Sequence, residues 1–283
     1  MGRSSRSVVI VGDKQRDGVA VAAGEIEQML RSSGFHPHID LDEEVRFEHS
    51  NPEYVIVLGG DGAMLGMVRR LSGKPIKIIG VNFGRLGFMS PIQPHEMLGV
   101  LKQMIVQGKH VLSPRMLLAA YKGANDRESL PTRALNEVVI RAREGKTIHV
   151  TLSVDGEDVT TYGGDGLIIA TPTGSTAYNL SAGGSIAQPE MQVLFVTPIC
   201  CARTAAPLVV SAESRLLLQI GEHGDPGEML VDGQVRIPLT YGQSIFVRKS
   251  NRRANLLIPK GQSFFRILHR QLGFDGQPPG YPD

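Results

Sequence analysis

Cysteine is almost absent from this chain. The two cysteines among 283 residues, Cys200 and Cys201, are adjacent. Neighbouring thiols cannot staple distant segments, so no disulfide framework is expected and a reducing cytoplasm fits. Tryptophan is missing altogether. So is any excess of one charge: Lys+Arg 30 against Asp+Glu 28 leaves a formal +2, with no long basic run. A nucleic-acid partner, whose phosphates demand a clustered basic face, is not expected. No apolar run approaches the ~18 residues of a membrane span. The opening MGRSSRSVVIVGDK passes from a short polar lead into a strand without a signal-peptide core. The expectation is a soluble, cytoplasmic protein with no membrane partner. The metal signatures HExxH and paired CxxC are also missing, as is the phosphate loop G-x-x-x-x-G-K-[ST].

Glycine, by contrast, is plentiful: 33 of 283 residues, above the usual ~7%. It concentrates at two loops. The first is Gly59-Gly60-Asp61-Gly62, between the apolar run YVIVL (54–58) and MLGMVRRL (64–71). Glycines let backbone N–H groups close on an anion where a Cβ would collide. Asp61 would repel phosphates unless it serves a metal or takes a proton from the group being phosphorylated, and that combination points to phosphoryl transfer. A tight strand-to-helix turn with a capping Asp is the alternative.

The second loop lies in DGLIIATPTGSTAYNLSAGG (165–184), where a strand runs into Thr173, Ser175, Thr176, Tyr178, Asn179 and Ser181. So many donors in one short stretch cannot all face an apolar core, and they suit a ligand rich in hydroxyls and phosphates.

Along residues 1–112 short apolar strands alternate with helices. SVVIVG (7–12), YVIVL and KIIGVNFG (77–84) read as strands, and FHPHID as a strand or connector. Helices are expected over 18–34, from Met64, and over 94–108. The rhythm implies a parallel α/β sheet with its ligand at the carboxyl ends of the strands. From 113 to 258 short β runs separated by turns imply a β-rich, sandwich-like domain. VDGE and VDGQ carry Asp-Gly hairpin signals. FFRILHRQLG (264–273) reads as a helix, and the Pro/Gly-rich tail DGQPPGYPD (275–283) as disordered.

GGDG, the Asn136-Glu137 pair in ALNEVVI, and DGLIIATPTGSTAYNLSAGG, in this order and spacing, resemble bacterial NAD kinases from about residue 8 to about 274. GGDG is shared with lipid kinases and phosphofructokinases; the TPTGSTAY block is the specific one. The resemblance implies transfer of the ATP γ-phosphate to the 2′-hydroxyl of the adenosine ribose of NAD. It also implies a divalent metal, expected as Mg²⁺ carried on the phosphates, a C-terminal segment (259–283) returning to the first domain, and a homodimer or homotetramer. Asp61 becomes the candidate base, with helix cap or magnesium-orienting group as the other roles. Gly59, Gly60 and Gly62 would offer amides to the ATP phosphates.

For NAD, the resemblance implies contacts from Asp61, Gly62, Asn136, Glu137, Asp165, Thr176, Ala177, Tyr178, Asn179, Leu180, Ser181 and Gln234. Lys146 stands near a basic or His position of the family. Phe83 is either a cover for an aromatic ring of the substrate or a buried core residue, and Tyr178 either a contact or core. The chain departs from the family at Ala63, where Thr or Asn is usual. It departs again in CARTAAP (201–207), where a His and an Arg-Pro are expected. These departures leave open a non-catalytic or weakly active dinucleotide-binding protein of the same fold. A GGDG lipid kinase is the other alternative, although the polar 173–181 loop does not suggest an acyl channel.

Overall fold

The computed structural model describes residues 6–84, 87–127, 129, 131–143, 146–202 and 205–273. The tail expected to be disordered lies outside them. The chain forms two compact units: residues up to Pro114 together with those from Ala254, and Arg115–Arg253.

In the first unit, β1 (Ser7–Gly12), β2 (His36–Asp40), β3 (Tyr54–Leu58) and β4 (Lys77–Val81) form a parallel sheet in the order β2-β1-β3-β4. Every residue of β3 is buried, as a run without alternation requires of a strand covered on both faces. α1 (Val19–Ser32) buries Val19, Ala22, Ala23, Ile26 and Leu30, one stripe at helical spacing. α2 follows β3 directly and spans Asp61–Leu71. The start expected at Met64 is therefore three residues too late. Gly60, extended at φ −89° and ψ −167°, is the N-cap, so Asp61 and Gly62 already lie in the first helical turn. A carboxylate there is favoured by the helix dipole.

The helix expected over 94–108 is a composite. A 3₁₀ turn (Pro94–Glu96) leads into α3 (Met97–Leu101) and then a π turn (Lys102–Val106).

β5 (His110–Lys122) enters the second unit at Arg115 and is followed by β6 (Thr132–Ala134), β7 (Glu137–Arg141), β8 (Ile148–Val154), β9 (Glu157–Gly164) and β10 (Gly166–Ala170). After the short α4 (Tyr178–Ser181) come β11 (Val193–Ile199), β12 (Leu208–Ser211), β13 (Leu216–Gly224), β14 (Glu228–Val231), β15 (Val235–Pro238) and β16 (Ser244–Pro259). One antiparallel sheet has the order β12-β11-β10-β7-β14-β15. Its inner residues, among them Val138, Ile140, Leu167, Ile169 and Val231, share a core with Leu118, Val150, Leu152, Leu218 and Ile245 of the strands opposite. Val139, Ile168 and Phe195 point to the other face. This alternation is that of a sheet packed on sheet, the sandwich-like second domain that the strand rhythm predicts.

Both Asp-Gly signals are hairpin turns. Asp155 (φ +54°) and Gly156 (φ +92°) join β8 to β9, and Asp232 (φ +50°) and Gly233 (φ +64°) lie between β14 and β15. In β16 the early residues Ser244–Val247 pair with β13, while Asn255 and Leu256 pair in parallel with Lys77 and Ile78 of β4. α5 (Phe264–Leu272) follows in the first unit, with the Phe264 ring 6.4 Å from that of Phe88.

Candidate functional site

Within the first unit the site grows from the end of β3. The Gly59 amide donates to the Val81 carbonyl at 2.9 Å, extending the β3–β4 ladder by one bond. That amide is spent on the sheet and does not serve a phosphate, which corrects the expectation for Gly59. Packing is what requires glycine here, because a Cβ on Gly59 would stand 2.6 Å from that of Ala63. Gly60, the N-cap of α2, makes no side-chain cap hydrogen bond.

The Asp61 carboxylate turns toward a neighbouring loop. Oδ2 accepts the Phe88 amide at 2.8 Å and Oδ1 the Met89 amide at 3.0 Å. Gly87 permits this approach, since any Cβ there would collide with the carboxylate. Asp61 is thus held in one orientation while each oxygen keeps a lone pair. Phe83 is half-buried against the core of the unit, with its ring 3.6 Å from where a Gly18 Cβ would stand. The phenylalanine whose backbone reaches Asp61 is Phe88, which the sequence reading did not single out.

Within the second unit Asn136 and Glu137 open β7, and both are buried. The loop after β10 lies on them: Thr171 N donates to Asn136 O at 2.9 Å, and Thr171 Oγ1 donates to Leu135 O at 2.6 Å. Gly174 is required there, because its Cβ would stand 2.7 Å from the Asn136 Cα. Asp232 holds the pair from the other side. Its carboxylate accepts the amides of Leu135 (2.9 Å), Asn136 (2.7 Å) and Glu137 (3.2 Å).

Among the described residues, the buried side-chain oxygens Asn136 Oδ1, Glu137 Oε2 and Thr173 Oγ1 of this cluster have no hydrogen-bond partner. Such groups are costly to leave unpaired, which marks the cluster as built for a polar ligand. Burial, first, and the nearby Asp232 carboxylate, second, push the Glu137 carboxyl up to about 8, although the Tyr178 amide opposes the shift. Near neutral pH Glu137 is therefore a proton-bearing donor.

The 173–181 residues divide by role. Tyr178 and Ser181 are exposed, and Thr176, Ala177 and Leu180 are half-buried along the same loop. Tyr178 is not a core residue. Asn179 is fully buried: Oδ1 accepts from Thr197 Oγ1 at 2.6 Å, and Nδ2 donates to Ser175 O at 3.2 Å and Ser185 O at 3.1 Å. Its side chain ties the loop together. Gln234 is exposed and two residues from Asp232, so the hairpin carries it to the edge of this cluster.

Asp165 and Lys146 are elsewhere. Asp165 precedes the five-residue β10 and Thr171 follows it, so six steps at ~3.3 Å each separate them by about 20 Å. Asp165 accepts a hydrogen bond from Cys200, which raises that thiol's pKa. Lys146 Nζ lies 3.8 Å from Asp225 Oδ2. Close to Asp165, a cavity of about 650 Å³ opens between β8, β9 and the divergent segment; Thr147, His149, Tyr162, Cys201, Ala202 and Leu208 are among its lining. Arg203 and Thr204 of that segment lie outside the described residues.

Comparison with known proteins places these features in a family. The model of the ATP-NAD kinase N-terminal domain matches residues 9–109, and that of the ATP-NAD kinase C-terminal domain residues 135–258. An NAD kinase of Syntrophotalea carbinolica is 38% identical over 224 residues, 78% of each chain. One from Thiobacillus denitrificans is 32% identical over 280 residues, 94% of this chain and 96% of its own. Among solved structures, Archaeoglobus fulgidus NAD kinase in complex with ATP superposes with a TM-score of 0.77 at 26% identity, covering 93% of this chain and 96% of that one. Yeast NADH kinase complexed with NADH shares the fold, with a TM-score of 0.85 at 23% identity over 99% and 91% of the two chains. Among the described residues no helix is long and apolar enough to cross a membrane.

Proposed function

The chain belongs to the ATP-NAD kinase family, and from that premise we propose that it transfers the γ-phosphoryl group of ATP to the 2′-hydroxyl of the adenosine ribose of NAD. The observation that carries the acceptor assignment is the set of unpartnered buried oxygens on Asn136, Glu137 and Thr173. A nucleoside supplies the hydroxyl and amino donors that Asn136 Oδ1 needs and the acceptors that a protonated Glu137 needs. Thr176, Ala177, Tyr178, Leu180, Ser181 and Gln234 complete the contacts along the loop and hairpin, while Asn179 and Asp232 position them. Asp165 and Lys146, at the far end of β10, are assigned to the dinucleotide by family resemblance alone.

Asp61 is the proposed base. The 2′-oxygen attacks the γ-phosphorus, the bond from γ-phosphorus to the bridging oxygen breaks, ADP departs, and the hydroxyl proton passes to the Asp61 carboxylate. Its two amide donors orient the carboxylate without consuming all its lone pairs. Gly60 and Gly62 at the start of α2 present the positive end of the helix to the donor phosphates.

A divalent cation bound with the donor would supply charge neutralisation during the transfer, with the Asp61 carboxylate the residue beside it. Among the described residues no group of three His, Cys, Asp or Glu side chains could hold such an ion. A homodimer or homotetramer in the cytoplasm follows from the family resemblance, and sedimentation of the purified protein measures the assembly.

The deciding experiment is NADP formation from ATP and NAD by the wild type and by Asp61→Asn. We expect kcat to fall by ~10²–10⁴-fold while NAD binding persists. Near-normal turnover of the variant at saturating substrate would remove Asp61 as the base.

A further inference from the structure

The first unit carries donor groups that neither the GGDG motif nor the acceptor contacts use. β1, β3 and β4 end in register, Gly12 beside Leu58 and Leu58 beside Val81. The turns that follow, 13–18, 59–60 and 82–84, therefore emerge side by side, spaced ~4.8 Å per strand. This is the carboxyl edge of a parallel sheet, where α/β proteins bind ligands.

Asn82 begins the turn after β4 and is 1% exposed. Its Oδ1 accepts the Gly84 amide at 3.1 Å, and its Nδ2 is buried without a partner among the described residues. The same carboxamide stands next to the N-cap of α2, with Oδ1 3.9 Å from the position of a Gly60 Cβ. Gly60 itself supplies no side-chain cap to that 11-residue helix.

Arg16, from the turn after β1, lays its guanidinium on the same spot: Nη2 is 3.2 Å from the position of a Gly84 Cβ. Lys14 on that turn is engaged with Asp42, and the Asp13 carboxylate accepts the Gln15 amide. Among the described residues Arg16 enters no ion pair and is exposed. Asp61, the nearest acid of the α2 start, turns both oxygens to the amides of Phe88 and Met89. Among the described residues, a guanidinium without an ion pair, a buried amide donor without a partner and a helix N-terminus without a side-chain cap thus meet around Gly84 and Gly60. All three are donors, and they suit an anion with many acceptor oxygens strung along a chain.

We propose that Arg16 and Asn82 form the donor-phosphate subsite, gripping the phosphoanhydride chain of the phosphoryl donor. Asn82 Nδ2 donates to an oxygen of the chain over the start of α2, and the Arg16 fork spans two of its oxygens from the solvent side. The proposal rests on the kinase reading but assigns a donor role to residues that the motif resemblance did not name. The shared chemistry is the phosphoanhydride chain, present both in nucleoside triphosphates and in inorganic polyphosphate.

The test uses the full chain and the variants Arg16→Ala, Arg16→Lys and Asn82→Asp. KM for ATP and for NAD are measured separately, together with calorimetric binding of inorganic tripolyphosphate in the presence of Mg²⁺. Arg16→Ala should raise KM for ATP about tenfold or more, leave KM for NAD within about twofold, and weaken tripolyphosphate binding to a similar degree. Arg16→Lys should recover part of both losses, because a point charge replaces a fork. Asn82→Asp keeps the acceptor for the Gly84 amide but removes the donor, and should likewise raise KM for ATP. Assays with ATP and with inorganic polyphosphate as donors separate the sources: a loss with both assigns the chain itself, and a loss with ATP alone assigns a nucleoside triphosphate.

Unchanged KM for ATP and unchanged tripolyphosphate binding in Arg16→Ala would overturn the subsite while leaving the kinase reading intact. A wild type that makes no NADP would sink the kinase reading, and tripolyphosphate binding lost in Arg16→Ala would still support the subsite.

Discussion

Replacing Glu137 by glutamine makes the chemistry of the acceptor cluster measurable. Glu137 is 5% exposed, and among the described residues its Oε2 meets no donor. Burial and the Asp232 carboxylate raise its pKa from the ordinary 4.5 to about 8, against the opposing Tyr178 amide. A group whose folded pKa lies above its unfolded one contributes stability that is complete below the unfolded pKa and is lost as pH rises through the folded one. Between pH 4.5 and 8 the native state holds a proton that the unfolded chain has released. The limiting slope is about 1.4 kcal/mol per pH unit, so the wild type should lose about 4 kcal/mol from this group between pH 5 and 8. Glutamine keeps the shape and a donor but cannot titrate. Urea unfolding of wild type and Glu137→Gln at half-unit pH intervals, followed by circular dichroism because the chain lacks tryptophan, gives the difference directly. We expect wild type to lose stability relative to the variant as pH rises through this window, and NAD affinity at pH 6 to survive the substitution within a few-fold. Parallel stability curves would show that Glu137 is ionised in the folded protein and would refute the donor role.

Two further substitutions probe the same cluster. Asn136→Ala removes an unpartnered buried acceptor and should raise KM for NAD about tenfold with little change for ATP; an effect confined to ATP would mean that the donor and acceptor assignments are exchanged. Gly174→Ala pushes a methyl into the Asn136 backbone and should cost ~1–3 kcal/mol, read as a Tm several degrees lower with a raised KM for NAD. An unchanged Tm would show that the loop does not rest on Asn136 as described.

Much of this protein follows from local chemistry and was legible without coordinates. The all-apolar run YVIVL reads as a buried strand, and the glycines behind it as a phosphate loop or a tight entry to a helix. Asp155-Gly156 and Asp232-Gly233 adopt positive φ because these residue types tolerate it, and strand alternation separates Val138 and Ile140 from Val139. What the sequence could not show depends on partners far along the chain. Asp232 reads as a turn residue, yet its carboxylate takes three amides 95–97 residues away, because β14 happens to lie beside β7. Asn179 reads as a ligand group, but the loop closes over Thr197 of β11 and consumes its amide. Asp165 and Thr171 are six residues apart in a single motif, yet an extended strand sends them to opposite ends of a sheet. The Gly59 amide belongs to the β3–β4 ladder only because Val81 arrives in register beside it. Backbone propensity and periodicity are properties of neighbours in sequence. Which hydrogen-bonding atoms remain unsatisfied, and so are left for a ligand, is decided only when strands distant in the chain come into register.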